Sequence, residues 1–199
     1  WNKIDNANHY TVAINGGEAA RSNSTTYAYA STDTFEVTVT AVFDHAEQSA
    51  SVTFKPLAPI TAVHVEEDGA IRWDAVAGAN AYAVSINGTE TEVTDTQFAL
   101  PEGSNRVKVK PIVSGDKTFY SSYSEEINAY VYAAPASVKY DGTALTWTGS
   151  ASDYLVTVNG TANTVKGNSY AFNSGNKDFT VEVKAIGNHT STYDSKAVS

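Results

Sequence analysis

The side chains best suited to holding a ligand are three aromatics, Phe119, Tyr120 and Tyr123, which follow the loop Ser114-Gly115-Asp116-Lys117. Exposed aromatic rings stack on sugar faces or anchor a protein partner, so this trio is the candidate ligand-binding site. The same spacing also suits rings packed along one face of a terminal strand. Tyr193 holds a similar place further on, which makes packing the preferred reading. Tyr27 and Tyr29 pose the same choice, and their counterparts Phe98, Leu100, Tyr170 and Phe172 point to the core.

Other chemistry is sparse. Hydrolysis or metal catalysis needs several polar groups converging on a cleft. The four histidines, His9, His45, His64 and His189, never stand two or three residues apart, and they read as solvated groups beside turns. No Gly-x-Ser-x-Gly elbow, phosphate loop, His-Glu-x-x-His helix or calcium loop occurs, so no catalytic residue, cofactor or metal is expected. Glu66-Glu67-Asp68 and Glu125-Glu126 read as solvated charge, the second pair as a guard on an edge strand. Asn-x-Ser/Thr sequons begin at Asn23, Asn87, Asn159 and Asn188, but Asn87 and Asn159 open Asn-Gly turns, where backbone geometry alone accounts for the residue.

Composition narrows the classes further. With 22 acidic and 13 basic side chains the net charge is -9. The cluster of Lys and Arg that phosphate binding needs is missing, which argues against nucleic acid as a partner. No run approaches the roughly 18 apolar residues of a membrane span. The chain has no cysteine, so neither disulfides nor thiolate zinc can hold it together, and the absence leans towards a bacterial source. An opening at Trp1 without an initiator Met reads as a piece of a longer chain, with any signal peptide or anchor outside it.

What must position these residues is a repeat. Tyr10-Thr-Val12-Ala-Ile14-Asn15-Gly16 recurs as Tyr82-Ala-Val84-Ser-Ile86-Asn87-Gly88 and as Tyr154-Leu-Val156-Thr-Val158-Asn159-Gly160, the tyrosines 72 residues apart both times. Trp1, Trp73 and Trp147 precede the three copies, so the period marks a structural module. In the middle copy, alternation and turn residues predict strands over 60–65, 70–73, 81–86, 91–93, 97–100, 106–113 and 123–132. Asp68-Gly69 and Asn87-Gly88 supply the positive φ of hairpin turns. About seven short strands separated by turns is the pattern of a two-sheet β-sandwich, and helical periodicity is absent. Phe35-x-Val37-x-Val39-x-Ala41 returns as Phe179-x-Val181-x-Val183-x-Ala185, with Asn105-x-Val107-x-Val109-x-Pro111 a poorer middle version.

Together these features resemble fibronectin type III modules. The likeness rests on a Trp on the second strand, Tyr-x-Val-x-Ile on the third after Gly78-Ala-Asn-Ala-Tyr82, and an aromatic-x-Val-x-Val-x-Ala strand near the end. It is greatest to the compact versions in bacterial secreted and surface proteins, and it covers nearly the whole chain. Two departures stand out: Phe35, Asn105 and Phe179 occupy the place of a family tyrosine, so its hydroxyl bond cannot form there, and the usual Leu between the fifth and sixth strands has no clear match.

The fold expected is all-β, three tandem fibronectin type III-like β-sandwich modules over 1-56, 57-133 and 134-199, the first lacking its N-terminal strands. Copy one begins at its Trp, and its partly bare inner face is completed either by preceding residues, the preferred reading, or by another chain. The proline-bearing linkers Lys55-Pro56-Leu57-Ala58-Pro59 and Ala133-Ala134-Pro135 read as stiff spacers of a semi-rigid rod. The resemblance implies a non-enzymatic spacer and interaction region of a multi-modular extracellular or cell-surface bacterial protein. Its partners would be neighbouring domains of the same polypeptide, with no membrane insertion in this segment. The alternative is a module that binds a polysaccharide or a host surface protein, acting where the copies disagree: the loop before Phe119, the Asn105 strand and the start of copy one.

Overall fold

The computed structural model describes residues 1–175 and 177–199. These residues form an all-β structure of five sheets, with no helix among them. Copy one contributes β1 (His9–Ile14), β2 (Ala20–Ser22), β3 (Phe35–Val42) and β4 (Glu47–Pro56). Copy two contributes β5 (Val63–Val65), β6 (Ala70–Trp73), β7 (Ala81–Ile86), β8 (Thr89–Val93), β9 (Gln97–Ala99), β10 (Gly103–Ile112), β11 (Phe119–Tyr120) and β12 (Ile127–Val131). Copy three contributes β13 (Ala136–Tyr140), β14 (Ala144–Thr148), β15 (Asp153–Val158), β16 (Thr161–Lys166), β17 (Ser169–Ala171), β18 (Val181–Ile186) and β19 (Thr192–Tyr193). Two compact units divide the chain. The first comprises Trp1–Pro59 with Val76–Asn80 and Pro111–Ser122; the second comprises Ile60–Ala75, Ala81–Lys110 and Tyr123–Ser199.

The Asn-Gly turns do more than bend the backbone. Asn15, Asn87 and Asn159 all take positive φ (50°, 52° and 48°) and each is followed by a glycine of positive φ, which ends β1, β7 and β15 in a turn; β7 and β15 pair at once with the next strand, Ile86 with Thr89 and Val158 with Thr161, whereas β1 meets β2 only at Val12 and Ala20. Each Asn then reaches across to the neighbouring strand. Its amide N–H donates to the carbonyl of Glu36, Arg106 or Thr180 at 2.9, 2.9 and 3.0 Å, and its Oδ1 accepts from the N–H of that same residue at 2.8, 2.9 and 3.0 Å. Backbone geometry alone therefore does not account for the residue, because glycine would supply the φ but not this clamp.

The first unit is one five-stranded sheet in the order β11-β4-β3-β1-β2. Register is set by the alternating pattern: Tyr10 faces Ala41 and Val12 faces Val39, with Tyr10, Val12 and Ala41 buried. The opposite face carries cross-strand hydroxyl pairs, Thr38 with Ser51 and Thr40 with Ser49, both at 2.7 Å.

In the second unit, copy three closes two sheets, β13-β14-β17 and β16-β15-β18, over one core. Leu145 and Trp147 from the first sheet meet Tyr154, Val156, Val183 and Ala185 from the second, the arrangement of a β-sandwich. Leu145, Val156 and Val183 each contribute about 1.5–3 kcal/mol by leaving water. Copy two builds β5-β6-β9 and, with β19 of copy three at one edge, β19-β12-β10-β7-β8, and buries Ile71, Trp73, Tyr82, Val84, Val107 and Val109. Tyr154 Oη also accepts the Ala151 N–H at 3.1 Å, as Tyr10 Oη accepts that of Ile4 at 2.8 Å, so this tyrosine fastens the loop that leads into its own strand.

Among the described residues two strand pairings join different copies, and both are parallel. Phe119 and Tyr120 of β11 lie beside Lys55 and Pro56 at the end of β4. Thr192 and Tyr193 of β19 lie in the same way beside Tyr130 and Val131 at the end of β12. The linkers are tied as well: the Lys55 and Leu57 amides donate to the Thr118 and Tyr120 carbonyls at 2.9 and 2.8 Å, and the Ala134 amide donates to Glu102 Oε1 at 3.1 Å.

Two expectations are corrected. The terminal strand of copy two starts at Ile127 instead of 123, and β19 lies along it, so Glu125 and Glu126 precede β12 and guard no free edge. Tyr27 and Tyr29 are not core: they are 43% and 47% exposed and belong to no strand. Their counterparts in copies two and three are flanked by a paired strand, β6 or β14, with Phe98 opposite Ile71 and Tyr170 opposite Leu145, whereas among the described residues copy one has no such strand.

Candidate functional site

Phe119 and Tyr120 are placed by β11 in the first unit. Lys55 Nζ lies 5.5 Å from the Phe119 ring centroid, a cation–π contact across the parallel pair. The preceding loop is fixed by Asp116, which accepts from the Thr118 N–H at 2.9 Å and from its hydroxyl at 2.6 Å. Those bonds hold the Asp116 carboxyl below its ordinary pKa. Tyr120 turns the other way, donates its hydroxyl to the Asp33 carbonyl at 2.7 Å and sets its ring 5.6 Å from that of Phe35.

Around Phe35 the rings gather. Phe54 stacks on it at 5.3 Å as its cross-strand partner, and Tyr29 meets it edge-on at 4.8 Å. Tyr29, Phe35, Phe54, Pro56, Pro59 and Tyr120 line an open recess of about 500 Å³. A volume of this size suits a small ligand or one large side chain. Sequence reasoning found Tyr120 but not Phe35 or Phe54; the signal for them was their position on the alternating inward face of β3 and β4.

Tyr123 lies in the second unit, with different partners. Lys108 Nζ and Lys110 Nζ stand 4.7 and 4.6 Å from its ring centroid, and its hydroxyl donates to Glu90, which also pairs with Lys110 at 3.4 Å. Burial first, and the Glu90 carboxylate second, push the Tyr123 hydroxyl up to about 12. The same hydrogen bond, aided by the lysines, draws Glu90 below its ordinary value. A ring with lysine over its face and a carboxylate on its hydroxyl is already engaged. The three predicted aromatics are all half-buried, two in the first unit and one in the second.

A polar node that sequence reasoning did not single out sits at Asp194, directly after β19. Its carboxylate is buried and accepts from Lys184 Nζ at 2.7 Å and the Gly187 N–H at 2.9 Å, while His189 Nε2 lies 2.7 Å away. Burial works to raise its pKa, and these donors outweigh it, so the group is held below its ordinary value. The Asp194 amide donates to the Glu67 carbonyl at 2.9 Å, and His189 Nδ1 lies 3.8 Å from Glu67 Oε1. His189 is exposed, as its sequence neighbours suggest, and is also engaged by Asp194, while Glu67 belongs to a joint between copies two and three. His64 and Arg72 meet Glu66 at 3.3 Å on the surface, pairs of little energetic weight.

Asn105 replaces the aromatic of the other copies. Buried at the start of β10, it donates from Nδ2 to the Pro101 and Gly103 carbonyls at 2.8 and 2.9 Å and holds the preceding turn. Among the described residues no group of His, Cys, Asp and Glu is arranged to hold a metal ion.

No protein-family model matches the chain, and no curated protein matches it. Similar solved structures include the BSP domain of a biofilm-associated protein, 11% identical, with 83% of this chain and 42% of that one covered at a TM-score of 0.24. Another is SGBP-B of the Bacteroides ovatus mixed-linkage glucan utilization locus, solved with a mixed-linkage heptasaccharide. It is 13% identical, with 96% of this chain and 59% of that one covered at a TM-score of 0.25. The chain therefore spans less than two thirds of either structure.

Proposed function

We propose that the chain is a run of three fibronectin type III-like modules over 1-56, 57-133 and 134-199, serving as a non-enzymatic spacer and interaction region of a secreted or cell-surface bacterial protein. The observation that supports it is the parallel stitch: β11 lies on β4 and β19 on β12, and both linkers are hydrogen-bonded instead of loose. A spacer needs joints that resist bending. An enzyme needs convergent groups aimed into a cleft, and the polar clusters described above are spent on structure: Asp194 on a joint, Asn105 on a turn, Glu90 on Tyr123.

The test uses the intact chain. Amide relaxation by NMR should give one common tumbling time for 60–75 and 134–199, since a jointed pair would show two. A glycan array and a host-protein pull-down should both be silent. A glycan or protein hit abolished by changing Phe119, Tyr120 and Tyr123 together to Ala would replace the spacer reading by the binding one.

A further inference from the structure

Copy one repeats the tryptophan geometry of its siblings with one component left out. The Trp1, Trp73 and Trp147 rings meet Tyr10, Tyr82 and Tyr154 edge-on at 5.5, 5.4 and 5.3 Å. Each tryptophan's main-chain nitrogen, not its indole, also donates to a carbonyl on the segment beyond the next hairpin: the Trp1 α-ammonium to Thr25 at 3.2 Å, the Trp73 amide to Thr96 at 3.1 Å and the Trp147 amide to Asn168 at 3.2 Å. Trp1 therefore stands in the register of the last residue of a β6-type strand. Trp73 and Trp147 are 4% exposed, Trp1 38%.

The exposed surface follows the same logic. Of the six large hydrophobics that stand exposed among the described residues, Trp1, Ile4, Tyr27, Tyr29 and Val52 belong to the first unit, leaving only Tyr130 for the second. Two recesses open on the inward face of its sheet: the ring-lined one at Phe35 and Phe54, and one of about 250 Å³ bounded by Trp1, Ile4, Tyr10, Val39, Ala41 and Ala50.

Copy three shows what fills the ring-lined recess. There Tyr140 of β13 lies 5.8 Å from Phe172 and 5.0 Å from Phe179, and its hydroxyl accepts the Ser174 N–H at 3.0 Å. Tyr29, Phe35 and Ser31 are the counterparts of Phe172, Phe179 and Ser174, and all three line the recess. The Tyr29–Phe35 pair, 4.8 Å and 63°, reproduces Phe172–Phe179, 5.0 Å and 65°.

We propose that the bare face of the first unit is the seat of one occupant: an antiparallel β-hairpin of the β13–β14 type, its second strand running into Trp1 and an aromatic of its first strand entering the Tyr29–Phe35 recess. Shape and register both select it. A residue two places ahead of Trp1 falls opposite Tyr27, as Ile71 falls opposite Phe98 and Leu145 opposite Tyr170. The carbonyl four places ahead of Trp1 receives the Tyr29 N–H, as Gly69 receives that of Leu100 and Thr143 that of Phe172.

The test extends the full chain directly before Trp1 by the sequence of residues 135–146, the hairpin of copy three. A second version carries Ala in place of the tyrosine copied from Tyr140. Amide exchange at Tyr29 should slow by about tenfold or more with the first extension, and less with the second. Trp1 emission should shift to the blue with the first. Unchanged exchange at Tyr29 in the extended chain overturns the proposal. So does protection that appears in the unextended chain as concentration rises, with dimer in the ultracentrifuge, because the occupant is then a second copy. A saturable shift of the Tyr29 and Tyr120 ring signals with a neutral oligosaccharide also overturns it and assigns the recess to a sugar.

Discussion

At Asn159 the side chain and the backbone make separable contributions. The φ of 48° disfavours a residue with a Cβ, while Oδ1 closes the bond to Thr180. Asn159→Gly keeps the backbone and loses the bond, a loss of about 1 kcal/mol; Asn159→Ala loses both and costs about 2 kcal/mol in all, read as urea midpoints. An Asn159→Gly change without effect would show that the clamp carries nothing, and equal effects of the two changes would show that the positive φ costs nothing. At Asp194 the sign follows from its lowered pKa. The bound carboxylate stabilises the fold at pH values above the ordinary carboxylate range, and that contribution disappears as pH falls through the lowered value. Asp194→Asn should lower stability at neutral pH by about 1.5–3 kcal/mol and flatten the acid-side fall. A variant that keeps the parent's acid dependence would place the titration elsewhere. Neither role has a sequence signature of its own: the Asn-Gly pair announces a turn but not the strand it reaches, and a single Asp after an aromatic announces nothing.

At the scale of the element, the strands themselves were legible, because alternation and turn residues act within a few positions. Strands β6, β7 and β9 lie where Ile71, Tyr82 and Phe98 indicate. The two-residue strands β11 and β19 were not legible, since their pairing is decided by another copy's last strand and not by their own pattern. Tyr27 and Tyr29 failed for a related reason: burial depends on a covering strand, which their own alternation cannot reveal. The candidate aromatics were found by type and placed wrongly by element, Phe119 and Tyr120 joining β4 and Tyr123 joining the Lys108–Lys110 side of β10. Tyr120→Phe should remove only the Asp33 bond, and faster exchange of the Leu57 amide by about fivefold is expected; Tyr120→Ala, which also strips the ring from Phe35, should accelerate it further. Exchange at Leu57 indifferent to both would mean that β11 is held by its backbone alone. Gly187→Ala should disturb β19 from its other side, because a Cβ there runs into the Thr192 backbone; loss of protection at the Tyr132 amide, which donates to Tyr193, is the measurement.

For the whole molecule, the two units should not resist unfolding equally. The second has both layers over its cores, whereas the first exposes the inner side of its sheet. Limited chymotrypsin digestion of the intact chain should cut first at Tyr27 and Tyr29, with the Trp147 core intact; first cleavage within β14–β18 would reverse that order. The repeat period was plain in the sequence, while the compact units depart from it, since 76–80 and 111–122 group with copy one.

The parallel stitches also govern how this polypeptide can be divided. A fragment ending at 133 would strip β19 from β12 and expose the edge that Tyr130 and Val131 present to it, and one ending at 59 would strip β11 from β4 in the same way. Expression boundaries placed at the sequence period therefore manufacture sticky ends. Cuts that carry the next copy as far as Ser122 or Ser195 would leave each terminal strand covered, at the expense of an unfinished neighbour.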